Sequence, residues 1–91
     1  MNLEVTTKDR VIYSDEVDMV SLPAWDGEMG VLAGHADFII MLRKGLLRVQ
    51  KQGQAKAISI DGGYAEISHN RIVVLPDAVH DIKDTREGME G

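Results

Sequence analysis

Short apolar runs separated by turn residues recur along the whole 91-residue chain. Near the N-terminus, Leu3 and Val5 alternate with polar neighbours, and this period of two predicts a strand whose apolar side chains face a core. The same alternation returns in four later pairs: Leu47 and Val49, Ile58 and Ile60, Ala65 and Ile67, and Ile72 and Val74. No long amphipathic helical pattern is visible between them. Eight to ten short strands with frequent turns predict an all-β protein, an antiparallel sandwich or barrel.

Glycine and proline mark the expected boundaries of these strands. Asp61-Gly62-Gly63 is the strongest hairpin signal, because glycine tolerates the positive φ of tight turns. Further turns are expected at residues 52–54 and 69–71. Pro23 is expected to close a strand over residues 17–22, whose inward and outward positions are mixed. Pro76 is expected to end the strand before it or to place that strand at a sheet edge.

One apolar run is continuous rather than alternating. Residues 38–42 read Phe-Ile-Ile-Met-Leu, too short for a typical helix, and such a run predicts a strand covered on both faces. A small sandwich buries only one face of each sheet by itself. Either Ile39 and Met41 or Ile40 should therefore lie on a surface that a partner covers.

Composition narrows the classes of function. The net charge of −5, with no compensating basic run, disfavours nucleic-acid binding. The chain has no cysteine, which excludes disulfides and thiolate chemistry. No apolar run approaches the roughly 20 residues of a membrane-spanning helix, and the N-terminus has no signal-peptide pattern. We therefore expect a cytoplasmic protein that reaches a membrane only through a partner.

The most distinctive segment is residues 27–36, which read Gly-Glu-Met-Gly-Val-Leu-Ala-Gly-His-Ala. Its glycines are expected at turns, at a bulge or at close backbone approaches; they are Gly27, Gly30 and Gly34. His35 has several open interpretations. It could be a general base, a metal ligand beside Asp37, a hydrogen-bonded turn residue or an interface residue. A stand-alone ligand- or metal-binding sandwich around His35, or a small enzyme, is the alternative to a purely structural role.

Several motifs together resemble the epsilon subunit of F-type ATP synthases. Residues 27–36 resemble its Gly-Glu-x-Gly-x-x-x-Gly-His-Ala signature, and residues 45–49 resemble its glycine-started strand. Residues 62–67 resemble its glycine-glycine-aromatic-x-Glu-Val hairpin, which gives Gly62 and Gly63 a structural role. Residues 70–75 resemble its Asn-x-Val-x-Val-Leu strand. These motifs follow one another in the family's order over about 75 positions.

The resemblance implies a ten-stranded β-sandwich of two five-stranded sheets, here over residues 1–82. Residues 83–91, charged and predicted to be disordered, stand where the family's first C-terminal helix begins. By the same resemblance the protein is a non-catalytic rotor subunit of the central stalk, and it needs no cofactor or metal. It joins the gamma subunit to the membrane c-subunit ring, so that proton- or sodium-driven rotation is coupled to ATP synthesis. The isolated chain is expected to be a monomer, and within its complex it is expected on the cytoplasmic side of the membrane.

The expected contacts fall into two groups. His35, Ala36, Phe38 and Ile40 are expected at the gamma interface. Glu28 is expected at the c ring because the family places its matching glutamate there, and the neighbouring Trp25 and Asp26 are grouped with it. Trp25 has no counterpart role in the family, so it is either folded onto the core or an exposed anchor for a partner.

Overall fold

The computed structural model describes residues 1–34 and 36–85, which form ten β-strands. They are β1 (Asn2–Thr6), β2 (Val11–Glu16), β3 (Met19–Ala24), β4 (Gly27–Val31), β5 (Phe38–Met41), β6 (Gly45–Lys51), β7 (Gln54–Asp61), β8 (Tyr64–Ser68), β9 (Arg71–Leu75) and β10 (Ala78–Thr85). The first sheet has the order β2-β1-β9-β8-β5, and the second sheet has the order β10-β7-β6-β3-β4. Neighbouring strands are antiparallel, apart from the parallel pair β1 and β9. The predicted all-β sandwich of two five-stranded sheets is confirmed.

The core lies between the two sheets and is built from alternate residues of the strands. Leu3 and Val5 of β1 are fully buried, as their alternation predicts. The inward residues of the other predicted pairs are buried with them: Leu47, Val49, Ile58, Ile60, Ala65, Ile67, Ile72 and Val74. Burying a large aliphatic side chain contributes about 1.5–3 kcal/mol. This core therefore supplies the main driving force that holds the two sheets together.

Strand β5 has one face toward the core and one face exposed. It lies at the edge of the first sheet and pairs only with β8. Phe38 and Ile40 are half-buried against the core, whereas Ile39 and Met41 are 66% and 61% exposed. The chain itself covers one face of β5, because the period of two sends alternate side chains to opposite faces. Of the two alternatives, Ile39 and Met41, not Ile40, are the residues left for a partner to cover.

The Asp61-Gly62-Gly63 turn exists, but it does not form a hairpin. β7 pairs with β6 and β10 in the second sheet, while β8 pairs with β5 and β9 in the first. The turn therefore carries the chain from one sheet to the other. Gly62 and Gly63 have φ values of 52° and 98°, which fit a tight turn whether it closes a hairpin or connects two sheets. Hairpins do occur at residues 52–53, between β6 and β7, and at residues 69–70, between β8 and β9.

Two strand boundaries also differ from the sequence-based expectation. Pro23 does not close its strand: β3 continues to Ala24, and Pro23 lies buried opposite Glu28 of β4. Proline is tolerated because β6 pairs with β3 only over Met19–Ser21, so the missing N–H of Pro23 costs no hydrogen bond between strands.

At the C-terminus, β10 pairs with β7 as far as Thr85. Residues 83–85 thus belong to the sandwich rather than to the expected tail, and residues 86–91 lie outside the described part.

A charged link joins the two sheets at one end of the sandwich. Lys51 Nζ of β6 lies 2.8 Å from both carboxylate oxygens of Asp15 in β2. This hydrogen bond, with a further one from the backbone N–H of Glu16, lowers the pKa of Asp15. The same contact with Asp15 raises the pKa of Lys51. The link is exposed to solvent, so its net contribution to stability is modest.

The direction of these shifts predicts a pH dependence. Because the folded state lowers the pKa of Asp15, the link stabilises the fold above pH of about 4, the ordinary aspartate value. This stabilisation disappears as the pH falls through the lowered pKa. Asp15→Asn should therefore lower the melting temperature at pH 7 and have a smaller effect at pH 3. Thermal melts at both values test this, with Asp26→Asn in an exposed turn as the control for loss of one charge. An equal effect of Asp15→Asn at both values would contradict the link.

Candidate interaction surface

An apolar patch lies on the outer face of the first sheet, at its β5 edge. We define the apolar patch as Ile39 and Met41 of β5 with Tyr64 of β8, which is 40% exposed. Met41 stands directly opposite Tyr64 in the antiparallel pair, and Ile39 stands opposite Glu66. Side chains opposite each other on one face of a sheet are about 4.5–5.5 Å apart at Cβ. Met41 and Tyr64 are therefore neighbours on one surface.

The next strand extends this apolar character. Leu75 of β9 stands opposite Tyr64, and Val73 stands opposite Glu66; both are half-buried. Apolar side chains thus follow one another across three adjacent strands. Contiguous apolar surface of this kind marks an interaction site more often than scattered exposed residues do. The sequence could have indicated Ile39 and Met41 by counting from the inward-facing Phe38, but it gave no signal for the edge position of β5.

The turn between β3 and β4 meets the end of this patch. Trp25 and Asp26 form the turn; both are exposed, and Trp25 is 66% exposed. The backbone N–H of Trp25 donates a hydrogen bond to the carbonyl oxygen of Met41 at 3.0 Å. The backbone N–H of Arg43 donates to the carbonyl oxygen of Pro23 at 2.9 Å. The turn, which belongs to the second sheet, is therefore held beside the end of β5 in the first.

Glu28 lies on a different surface, the outer face of the second sheet. It is on β4, and its Oε2 is 3.7 Å from Arg48 Nε. Both side chains are more than half exposed, so this ion pair is weak. A shallow depression of about 290 Å³ beside it is also lined by Arg43 and Lys44. Glu28 is thus accessible to a partner and is not held in an enclosed catalytic site.

The remaining residues of the 27–36 motif have mostly local roles. Gly27 and Gly34 adopt positive φ at the ends of the segment, whereas Gly30 lies within β4 opposite Ser21. An added Cβ at Gly30 would lie 3.0 Å from Met19 Cε, so this position is a close approach rather than a turn. His35 lies outside the described residues. Of the other residues expected at the gamma interface, Ala36 is exposed, whereas Phe38 and Ile40 pack against the core.

A cavity of about 750 Å³ opens at the end of the sandwich that holds the Asp15–Lys51 link. The charged groups that line it pair with one another: Lys51 with Asp15, and Lys56 with Asp84 at 2.7 Å. The bond with Asp84 raises the pKa of Lys56, and partial burial raises the pKa of Tyr13 in the same wall. The internal pairs leave the cavity without an excess of either charge that would select a ligand.

Two properties of the described residues bear on the other classes of function. Within residues 1–34 and 36–85, no three histidine, aspartate or glutamate side chains are grouped so that they could hold a metal ion. In the same part of the chain, no helix has the length and apolar character needed to cross a membrane. The described residues define a β-sandwich whose distinctive surface feature is an exposed apolar face, which is typical of a protein that binds another protein.

Comparison with known proteins identifies the family. Residues 1–81 match the family model described as ATP synthase, Delta/Epsilon chain, beta-sandwich domain. The chain belongs to this family. It is 41% identical over 75 residues to the ATP synthase epsilon chain of Desulforamulus reducens, and 43% identical over 76 residues to that of Desulforudis audaxviator. These matches cover 82% and 84% of this chain but 57% and 56% of the relatives, so the chain spans little more than half of their length.

Solved structures agree with the assignment. A chain of the Euglena gracilis mitochondrial ATP synthase, in a structure of OSCP, F1 and the c-ring, superposes with a TM-score of 0.79 at 28% identity. The match covers 86% of this chain and 51% of that one. A chain from the central stalk and c-ring of the Tetrahymena thermophila enzyme superposes with a TM-score of 0.67 at 13% identity and supports the fold alone.

Proposed function

We propose that this chain is a non-catalytic rotor subunit of an F-type ATP synthase. In this role it joins the gamma subunit to the membrane c-subunit ring and transmits ion-driven rotation. The observation that carries the proposal is the apolar patch on a chain of the epsilon family, because a rotor subunit must present a surface for a permanent partner. The matched Euglena gracilis structure contains OSCP, F1 and the c-ring, which supports the same assembly.

The apolar patch is the proposed binding surface for gamma. The resemblance associates His35, Ala36, Phe38 and Ile40 with this interface, but Phe38 and Ile40 turn toward the core. We therefore assign the direct contacts to Ile39, Met41 and Tyr64. Ala36, which is exposed just before β5, borders the surface, and the proposed role of His35 is unchanged.

The c ring is the second proposed partner, and its contact lies at the β3–β4 turn and on β4. Glu28 and Asp26 offer exposed carboxylates there. We propose that the complex holds the chain at the cytoplasmic side of the membrane without inserting it. The isolated chain is proposed to be a monomer. The alternative of a metal or ligand site around His35 has no support from the relatives named above, which are described as ATP synthase epsilon chains.

A titration with gamma tests the proposal directly. The purified chain, mixed with the gamma subunit of the same ATP synthase, should form a 1:1 complex that survives gel filtration. Multi-angle light scattering gives the stoichiometry, and the same measurement on the chain alone reports whether it is a monomer. An intact, folded chain that shows no binding to gamma would overturn the rotor role.

Charge reversal at Glu28 tests the contact with the ring. Glu28→Lys replaces attraction by repulsion toward the ring's partner groups, whereas Glu28→Gln only removes an exposed interaction of about 0–1 kcal/mol. Glu28→Lys should therefore lower ATP-driven proton or sodium pumping per ATP hydrolysed more than Glu28→Gln does. Arg48→Gln is the matched control, since it also breaks the Glu28–Arg48 pair. Pumping by Glu28→Lys complexes that equals that of the parent would contradict this contact.

A further inference from the structure

The depression beside Glu28, on the outer face of the second sheet, carries positive charge on an acidic chain. Its volume is about 290 Å³. The charged side chains that line it are three cations, Arg43, Lys44 and Arg48, and one carboxylate, Glu28. The whole chain has a net charge of −5. The lining therefore has the opposite sign to the chain as a whole, and it favours a partner group with a negative charge.

Arg43 and Lys44 are the two cations of the depression that the fold leaves unpaired. Arg48 already has Glu28 as a partner, at 3.7 Å. Arg43 and Lys44 are both exposed, and in the part of the chain that the structure describes neither has a carboxylate within ion-pairing distance. Lys56, in contrast, has a carboxylate at 2.7 Å. The charges of Arg43 and Lys44 are therefore available to a partner.

Backbone contacts hold the segment that carries these two cations. The N–H of Arg43 donates to the carbonyl oxygen of Pro23, and the N–H of Leu42 donates to that of Gly63, each at 2.9 Å. Gly45 begins β6 and packs closely on Pro23, since an added Cβ would lie 3.0 Å from Pro23 Cβ. A segment that is held in place before binding loses less conformational entropy when a partner docks.

We propose that Arg43 and Lys44 bind a carboxylate of the c ring; this inference rests on the proposed function. A guanidinium can donate two parallel hydrogen bonds to a carboxylate, and the lysine adds a second positive charge. The depression also has apolar walls, formed by Pro23, Ala24 and Leu46. A concave site with apolar walls and a few polar groups fits a side chain of a protein loop better than a flat layer of lipid headgroups.

The same depression specifies the charge pattern of its partner. A ring segment seated there meets Glu28 on one side and Arg43 with Lys44 on the other. It must therefore present a hydrogen-bond donor or cation to Glu28 and a carboxylate to the two cations. Two contacts of opposite sign fix the orientation of the docked segment, which a single charge would not do.

Carbodiimide crosslinking tests the contact directly, because this reagent joins an amine to a carboxylate only where the two groups touch. The full chain, assembled with gamma and detergent-solubilised c ring, should give an amide bond between Lys44 Nζ and an acidic residue of a c subunit, identified by mass spectrometry. Lys44→Arg keeps the charge without the reactive amine, so it should lose this crosslink and still bind the ring. A crosslink from Lys44 to gamma, or none from Lys44 to the ring in the assembled complex, would overturn the inference.

Charge reversal measures what the contact contributes to affinity. Lys44→Glu should weaken binding to the immobilised ring by about 10-fold at low salt, because repulsion replaces attraction, and by less at high salt. Lys83→Glu is the matched control. It changes the net charge equally, on an exposed lysine of β10 at the opposite edge of the second sheet from β4. Equal losses from Lys44→Glu and Lys83→Glu would mean that only the net charge matters, and the inference would be wrong.

Two further results separate this inference from its alternatives. If Lys44→Glu abolishes binding of the chain to phosphatidylglycerol vesicles but not to the ring, the two cations bind lipid phosphate and the inference is wrong. If Lys44→Glu binds the ring normally while Glu28→Lys lowers pumping, the inference alone is wrong and the proposed ring contact stands. If the parent complex does not bind the ring, both are wrong.

Discussion

Replacing both Ile39 and Met41 with aspartate is expected to weaken gamma binding by at least 100-fold without unfolding the chain. Each side chain contributes about 1.5–3 kcal/mol if a partner buries it fully, and a carboxylate buried in its place without a partner adds a further cost. A 100-fold loss corresponds to only about 2.7 kcal/mol. Calorimetric titration with gamma measures the change. Circular dichroism and thermal melts report whether the sandwich remains folded.

Ile40 supplies the control for this experiment, since it is on the same strand with the opposite orientation. Its side chain packs against the core, so Ile40→Asp should destabilise the fold itself. The patch variants should therefore lose affinity at nearly normal stability, whereas Ile40→Asp should lose stability first. Tight gamma binding by the double variant would show that gamma occupies another surface.

Gly63→Ala is expected to cost more than about 3 kcal/mol of unfolding free energy, a large part of the total for a domain of this size. An added Cβ would lie 2.2 Å from the carbonyl oxygen of Leu75 and 2.6 Å from Pro76 Cα. Both are backbone atoms, which cannot rotate away as a side chain can. The φ of 98° adds strain of about 1–3 kcal/mol for any residue with a Cβ. Urea unfolding of the two proteins gives the difference.

Gly53→Ala distinguishes the steric clash from the conformational strain. Gly53 also has a positive φ, 79°, but a Cβ there would meet nothing within 4 Å. Its substitution should cost only about 1–2 kcal/mol, the conformational part alone. Equal costs at Gly53 and Gly63 would mean that the strands at the crossover turn can move apart to accommodate a side chain.

Local patterns predict much of this fold because a β-strand repeats every two residues. Leu3 and Val5, or Ile72 and Val74, need only their neighbours in sequence to show which face is buried. Strand order does not follow from such patterns. The Asp61-Gly62-Gly63 segment has the local chemistry of a hairpin, yet β7 and β8 belong to different sheets. A hairpin turn and a turn between two sheets require similar backbone conformations, and only the pairing of the flanking strands distinguishes them.

The candidate site was less predictable for the same reason. The run at residues 38–42 predicts a partner surface but not which alternate residues form it. That choice depends on the edge position of β5 and on the inward orientation of Phe38 and Ile40. Likewise, Trp25 is close to Glu28 in sequence, but the hydrogen bond that joins it to Met41 spans 16 residues of chain. Family resemblance suggests the partners, while the geometry of the sheets distinguishes the exposed side chains from the buried ones.

The parallel pairing of β1 with β9 has a consequence for synthesis on the ribosome. Asn2 pairs with Arg71 and Val5 pairs with Val74, so β1 lacks one of its two neighbours until nearly the whole sandwich has been translated. The second sheet's β6–β7 hairpin, in contrast, closes over a two-residue turn. Contacts so distant in sequence slow folding, because a long loop must close before they form. The emerging chain therefore exposes the unpaired edge of β1 throughout elongation, a period in which it is open to association with other chains.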